Sequence, residues 1–410
     1  APPAGYPCTM YKAEDIARAK QNIAAHQWAR RWYQSIIQGS TASLQTDNAT
    51  LRSYISEQTP ILSVKCPTCG NGPWYWYDIL PQVSGIRCKS CGSEFLWDPD
   101  DTTEDFNVQG VIRYERLHSV TGPAYGLGLR YQIDGDVEAA RKAAVLIERM
   151  AEVFKGYRMN RVNRNQWMDG NDPYYGRIGG WKYREAGDLR GIIHAYDLIH
   201  DSGVLSRQQH AMIERDLIAH VRDYFLQSYG EAGLLGTQTL QDQGHAWWCL
   251  AACAAILGDT DTLQLMVHTF EQMLGPQSWV FYEDGTFYEG TYAYQGQFIG
   301  GIWPVPEIVR DNLDVDIYSN PKCALWEKVL TWYLDGIFPD GTMPAIADAH
   351  VGYRPLADWS EIAYTRYGNR RALRHLREAC GDLMTPGGEF AVFYRDPDAL
   401  LKALAALATF

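Results

Sequence analysis

The sequence predicts a mainly α-helical protein of the (α/α)n toroid class, an incomplete barrel of helical hairpins with a small zinc ribbon inserted near its start. Two observations predict the helices and a third the ribbon. Apolar residues recur at helical spacing on both sides of one Gly-, Pro- and Cys-rich stretch, residues 62–98. Turns rich in Gly, Asp or Asn that open a new helix recur at Gly203, Gly258, Asn312 and Gly368, at intervals of 55, 54 and 56 residues. That period holds two helices and their connections, and hairpins that cannot bury both faces alone must pack side by side, as an open solenoid or as the closed ring favoured here. Two CxxC pairs lie within the irregular stretch.

Taken in order, residues 11–38 form one helical stretch and a second continues to about Glu57, where Pro60 breaks the pattern. These make a first segment, 1–61, followed by the ribbon, 62–105, and the remaining hairpins with a cleft, 106–410. An earlier turn of the same kind opens a helix at Gly135. Segments rich in Gly and aromatic residues interrupt the helices at 157–181, 229–245, 281–300 and 335–355. Their similar phase in the repeat predicts that they emerge at one end and line a common cleft.

The ribbon rests on Cys66, Cys69, Cys88 and Cys91, in KCPTCG and RCKSCG with 18 residues between the pairs. Each CxxCG turn lets two thiolates converge on one ion, and two turns complete the tetrahedral S4 shell that zinc prefers. Four protein ligands leave no open position, so the expected cofactor is a structural zinc ion. Two disulfides are the competing arrangement. Cys8, Cys249, Cys253, Cys323 and Cys380 remain, an odd number; Cys249 and Cys253 share one helix face in WWCLAACAAIL and read as core.

Hydrophobic residues are 46% and charged residues 21% of 410, which excludes a disordered or collagen-like chain. No apolar run reaches the roughly 18 residues of a membrane span. The net charge of −12 argues against nucleic acid as a partner, so any acidic ligand must be held by a local basic patch. The start at APPAGYPC fits a cleaved export signal, and the expected location is secreted or periplasmic. With 14 Trp and 26 Tyr the chain has ample flat surface for stacking on sugars.

Unusual polar chemistry concentrates in a few segments. TQTLQDQGHAWW carries Gln241, Gln243, His245 and Trp247; EDGTFYEGTYAYQGQF carries Glu289, Tyr292 and Tyr294; FPDGTMPAIADAH carries Asp348 and His350. Upstream, YRMNRVNRNQWMDGNDPYYGR supplies Arg158, Arg161, Asn163, Arg164, Asn165 and Gln166.

DGTFYEGTYAY, with the helix from Gln241 to Asp259, EAGDLRGIIHAYDLI and MPAIADAH, resembles the heparinase II/III-like and alginate-lyase-like polysaccharide lyases. The likeness covers about residues 10–380 and implies an α/α toroid and β-elimination on a uronic-acid glycan. That reaction removes the C5 proton beside a carboxylate and expels the O4 sugar, so donors must neutralise the carboxylate while a base and an acid act. The resemblance implies Tyr294 as the acid and a candidate base, His245 as base or carboxylate ligand, and His350 as a second candidate base. Gln241 or Gln243 would neutralise the carboxylate, standing where the family often has Asn. Arg161, Arg164 and Asn165 would meet the substrate's acidic groups, with Glu289, Tyr292 and Trp247 completing the binding surface. Many relatives continue into a β-sandwich, for which few residues follow the last clear hairpin.

Two other enzyme readings share the fold or the chemistry: a toroid glycoside hydrolase using two carboxylates, and a uronate C5-epimerase. A third is a non-catalytic protein that binds acidic glycans.

Overall fold

The computed structural model of the chain describes residues 5–62, 64–162, 164–231, 243–278, 280–347, 349–380 and 388–407. In chain order its helices begin with α1 (Ala13–Ala25), α2 (Gln27–Gln45), α3 (Asn48–Ser53), α4 (Val108–Asp134), α5 (Val137–Val153), α6 (Lys182–Ile199), α7 (Arg207–Ile213) and α8 (Ala219–Glu231). They continue with α9 (Gln243–Leu257), α10 (Thr260–Met273), α11 (Tyr292–Ile302), α12 (Pro304–Leu313), α13 (Leu325–Thr331), α14 (Ala357–Tyr367), α15 (Arg370–Cys380), α16 (Glu389–Tyr394) and α17 (Pro397–Leu407). The strands are β1 (Tyr77–Ile79), β2 (Gly85–Cys88), β3 (Glu94–Leu96), β4 (Asn160–Arg161) and β5 (Gln166–Trp167).

The chain divides into two compact units, Ala1–Ile37 with Gly233–Phe410, and Gln38–Ala232. The cysteine-rich segment 62–105 belongs to the second.

In the second unit α4 packs on α5 and α6. Asn107 caps α4 by accepting from the Gly110 amide, and Val111, Leu117, Val120, Ala124 and Leu127 of α4 are at most 3% exposed. β1, β2 and β3 form an antiparallel sheet in that order, with Ile86 opposite both Ile79 and Phe95. Ile86 and Trp76 pack with Ile61, Val111 and Ile112, so the small sheet is anchored on the start of α4. The Arg-rich segment read as a loop contains a short antiparallel ladder, with Asn160 opposite Trp167 and Arg161 opposite Gln166.

In the first unit α1 packs on α16. Asn22 on α1 donates to the Val392 carbonyl at 2.9 Å, and Tyr11 stacks on Phe393 at 3.6 Å. Two buried carboxylates are each held by a forked arginine: Glu361 by Arg395 at 2.8 and 2.6 Å, and Glu307 by Arg366 at 2.9 and 2.7 Å. α9 is buried all round, from Ala246 to Ile256 at 6% exposure or less, as its unbroken apolar run requires.

The helical stretch expected as one at residues 11–38 is two helices, separated at His26, whose extended backbone (φ −119°, ψ 132°) ends α1. The turns of the repeat hold, with one shift. Left-handed residues stop the helices at Gly203, Gly258, Asp314 and Gly368, spaced 55, 56 and 54. Asn312 is still inside α12, where its amide donates to the Ile308 carbonyl, and the left-handed residue is Asp314.

Candidate active site

Each cysteine pair sits in a backbone knuckle of the same design. The Cys66 amide donates to Asn71 O at 2.7 Å and Gly70 N donates back to Cys66 O at 2.9 Å; Cys88 with Ser93, and Gly92 with Cys88, repeat this at 2.9 Å each. Gly70 and Gly92 take φ +72° and +74°, the left-handed step that turns the chain back over its thiols. The result is a four-sulfur cluster with Cys66–Cys91 and Cys69–Cys88 at 3.7 Å. A disulfide needs about 2.05 Å, whereas a tetrahedron with metal–sulfur bonds of about 2.3 Å has edges of about 3.8 Å. Those two distances match such an edge, and with all four sulfurs within 4.8 Å of one another the cluster is compatible with a metal site. Cys66 and Cys88 are buried while Cys69 and Cys91 face solvent, and Ser93 holds the Cys91 thiol down to about 6.

In the first unit the elements bearing His245 and Tyr294 pack together. α9 and α11 approach so closely that a Cβ on Gly244 would lie 2.5 Å from the Phe298 carbonyl, and one on Gly301 would lie 2.5 Å from the His245 amide. Only glycine fits at this contact. Tyr294 precedes Gly301 by seven residues, close to two full turns, so it shares the α9-facing side about 10 Å further along the axis. His245 and Tyr294 are thus carried on two helices in direct contact, and both are partly open to solvent. Gln243, two residues before His245, is 2% exposed.

The Asp-Gly segment before α11 is a turn, closed by Tyr282 N donating to Thr286 O at 2.9 Å and by the Asp284 carboxylate accepting from the Thr286 amide at 2.9 Å. Gln295, 1% exposed, holds it against α11: its carbonyl accepts from the Phe287 amide at 3.0 Å and its amide donates to Gly285 O at 2.9 Å. Sequence reasoning missed Gln295; its signal was an amide directly beside Tyr294 in an otherwise aromatic and glycine run. Glu289 is half-buried and accepts from the Tyr288 hydroxyl at 2.9 Å, the behaviour of a loop-orienting acceptor.

Other expected binding residues are placed elsewhere. Trp247 is 1% exposed and offers no ring face for stacking. Tyr292 is 8% exposed with its ring 4.2 Å from Trp332, and burial raises its phenol pKa. His350 is exposed in a loop whose Tyr353 hydroxyl rests against Gly296. Gly296 is two residues past Tyr294, about 200° around α11, so the loop's anchor is on the other side of the helix. Gln241 and Asp348 lie outside the described residues, as does Asn163. A cavity of about 800 Å³ in the same unit is lined by Phe338, Arg354, Arg371, Arg374 and His375, and by none of the expected residues.

In the second unit, Arg161 is half-buried with its guanidinium donating to the Tyr175 hydroxyl at 3.2 Å. Arg164 and Asn165 are exposed in the turn between β4 and β5, Asn165 with φ +48°. Arg158 covers Trp167 at 4.4 Å. This unit also contains a constellation the sequence did not reveal. His118 Nδ1 lies 2.8 Å from Oδ1 of Asp188, which is 2% exposed and also accepts from Thr121 at 2.9 Å. That hydrogen bond raises the pKa of His118. Tyr114 stacks on the imidazole at 5.6 Å, and Arg184 lies 5.8 Å from Trp181 and 5.7 Å from Tyr183. The only signal was the i, i+4 spacing of Tyr114 and His118; Asp188 comes from another helix.

No protein-family model and no curated protein matches the chain. Solved structures do. It is similar to an alginate lyase from Bacteroides ovatus with a TM-score of 0.52 and 15% identity, over 95% of this chain and 100% of that one. It is similar to alginate lyase A1-III from Sphingomonas species A1 with a TM-score of 0.55 and 12% identity, over 95% and 98% of the two chains. At these identities the likeness is one of fold, and it assigns the chain the α/α-toroid class of those lyases.

Proposed function

We propose that the protein is a polysaccharide lyase that cleaves a uronate-containing glycan by β-elimination. The observation that carries this reading is the glycine-mediated packing of α9 on α11, the two helices that bear half-exposed His245 and Tyr294. The fold shared with two alginate lyases supports it.

The C5 proton of a uronate becomes removable only when the adjacent carboxylate is neutralised. Gln243 and His245 stand in the first turn of α9, where the helix dipole favours negative charge. A carboxylate held there gains stabilisation as charge moves onto it in the transition state. Tyr294, from the neighbouring helix, delivers a proton to the departing O4, and either Tyr294 or His245 removes the C5 proton. Gln295 acts at one remove, by holding the 282–287 turn on the helix that carries Tyr294.

The metal proposed for Cys66, Cys69, Cys88 and Cys91 is zinc. Four thiolates saturate it, so its contribution is to the fold of the ribbon. We further propose that the enzyme is exported, where polymeric substrate is found.

The test is incubation with alginate, glucuronan and glycosaminoglycans, with no added cofactor. Elimination yields an ultraviolet-absorbing unsaturated uronate, lost in Tyr294→Phe. Saturated ends alone would mean hydrolysis, solvent deuterium at C5 of an intact chain would mean epimerisation, and binding without product would mean a carbohydrate-binding protein.

A further inference from the structure

The second unit brings two histidines and a glutamate together at the end of one helical hairpin. α6 ends at Ile199 and is followed by a single tight turn, His200–Ser202. Ser206 and Gln209 then cap α7 reciprocally, and α7 passes into one turn of π-helix, Glu214–Ile218. His210 and Glu214 are four residues apart across that junction, so they project from one side. A π turn inside a helix often marks a functional position.

The hydrogen bonds around the two imidazoles determine which nitrogen each presents. Asp201 lies 2.6 Å from His200 Nδ1 and accepts a hydrogen bond from it, so the neutral ring has its lone pair on Nε2, which lies 3.8 Å from the Glu214 carboxylate. The Tyr196 hydroxyl donates to Glu214 at 2.9 Å and lies 2.8 Å from His210 Nδ1. With its own proton committed, that hydroxyl accepts from Nδ1–H, and the lone pair of His210 is on Nε2 as well. Metal-binding histidines are oriented in this way, the outer nitrogen bonded to a carboxylate or other acceptor and the inner one turned to the ion. The ligand atoms of His200, His210 and Glu214 all lie within 4.8 Å of one another, and the rings are 4.4 Å apart between centroids.

We propose that His200, His210 and Glu214 form a binding site for a divalent transition ion of the zinc class, separate from the four-cysteine cluster. Tetrahedral ligands at about 2.0 to 2.1 Å are about 3.4 Å apart, so each side chain has to move inward by under about 1 Å. Two imidazoles and one carboxylate favour zinc, cobalt, nickel or copper over magnesium and calcium, which require more oxygen ligands. Glu214 keeps 36% of its side chain exposed, which gives an ion a path in, and three protein ligands leave a fourth position for water. The competing arrangement has no ion, with a protonated His200 bridging Asp201 and Glu214.

The experiment uses the full chain with its cysteine cluster intact, at a series of free zinc concentrations in equilibrium dialysis, with metal counted by elemental mass spectrometry. The proposal expects two zinc ions per wild-type chain and one in His210→Ala and in Glu214→Gln. Asp201→Asn should keep the second ion but bind it about 10- to 100-fold more weakly. Asp201 is exposed on a turn, so that variant remains informative if a ligand variant fails to fold. Cobalt identifies the ligands: the wild-type minus His210→Ala spectrum should show d–d bands without thiolate charge transfer. One zinc per wild-type chain, equal occupancy in the ligand variants, or thiolate bands in the difference spectrum would each overturn the site.

Discussion

The ribbon and the α9–α11 pair place their reactive atoms by opposite means. In the ribbon, each pair of sulfurs is set by backbone bonds inside six residues, Cys66 with Asn71 and Cys88 with Ser93, and the two knuckles repeat one another. In the helix pair nothing local sets the relation of His245 to Tyr294. It is set by the approach of two helices whose sequences are about fifty residues apart, made close by Gly244 and Gly301. Local geometry tolerates change in the rest of the molecule but would depend on the ion proposed for it; packing geometry needs no ion but transmits every displacement to the site.

The largest expected effect separates the two directly. Binding of a structural zinc is worth about 10 kcal/mol or more in small zinc domains, because the site and its fold form together. Cys88→Ser should therefore strip the metal and expose the amides of β1, β2 and β3 to hydrogen exchange, while α9 and α11 keep their protection. The contrast breaks if the sheet stays protected without metal, which would mean that Ile86 and Trp76, packed on Ile61, Val111 and Ile112, hold it unaided.

The next effect is on the chemistry. Tyr294→Phe removes one hydroxyl from a partly exposed side chain and should lower kcat/KM by about 100- to 10,000-fold, roughly 3 to 5 kcal/mol of barrier. The melting temperature should stay where it is. A matching loss of melting temperature would make Tyr294 a packing residue.

A pair of glycine substitutions then sharpens the comparison. Gly244→Ala drives a methyl to 2.5 Å from the Phe298 carbonyl, and overpacking of this kind costs about 1 to 3 kcal/mol. Gly92→Ala meets no atom within 4 Å but forces alanine into φ +74°, at about 1 to 2 kcal/mol. The two variants should lose similar stability yet differ in activity. Only Gly244→Ala shifts the helix carrying His245 against that carrying Tyr294, and equal kcat values would show that the α9–α11 spacing does not matter to the reaction.

The same distinction explains what could be read from the chain. The four cysteines were legible because a knuckle is complete within its own six residues. The repeat was legible through Gly203, Gly258 and Gly368, which take the left-handed conformation that glycine signals; the fourth stop was misplaced because Asp314 adopts it with a side chain that sits as readily elsewhere. Trp247 and Tyr292 looked like substrate-binding residues because an aromatic residue reads the same whether it faces a cleft or, as here, the core. His118 and Asp188 escaped notice because their pairing exists only once α4 lies on α6.

That last pair supplies the smallest effect and an intermediate case, since it is made by helix packing without a glycine contact. The bond to Asp188 raises the pKa of His118 above its ordinary value of 6.5. Below that value the imidazole is protonated in both folded and unfolded chains, and the full benefit of the pair is present. As pH rises through the folded value, the folded chain gives up a proton the unfolded chain has already lost, and the benefit disappears. Because 59% of the His118 side chain is exposed, solvent screens the pair and the pH-dependent part should be under about 1 kcal/mol. Asp188→Asn should therefore destabilise the protein more at pH 5.5 than at pH 9 in denaturant unfolding, on top of a constant loss from the Thr121 bond. An equal loss at both pH values would mean that the His118–Asp188 contact contributes through packing and hydrogen bonding without a charge-dependent part.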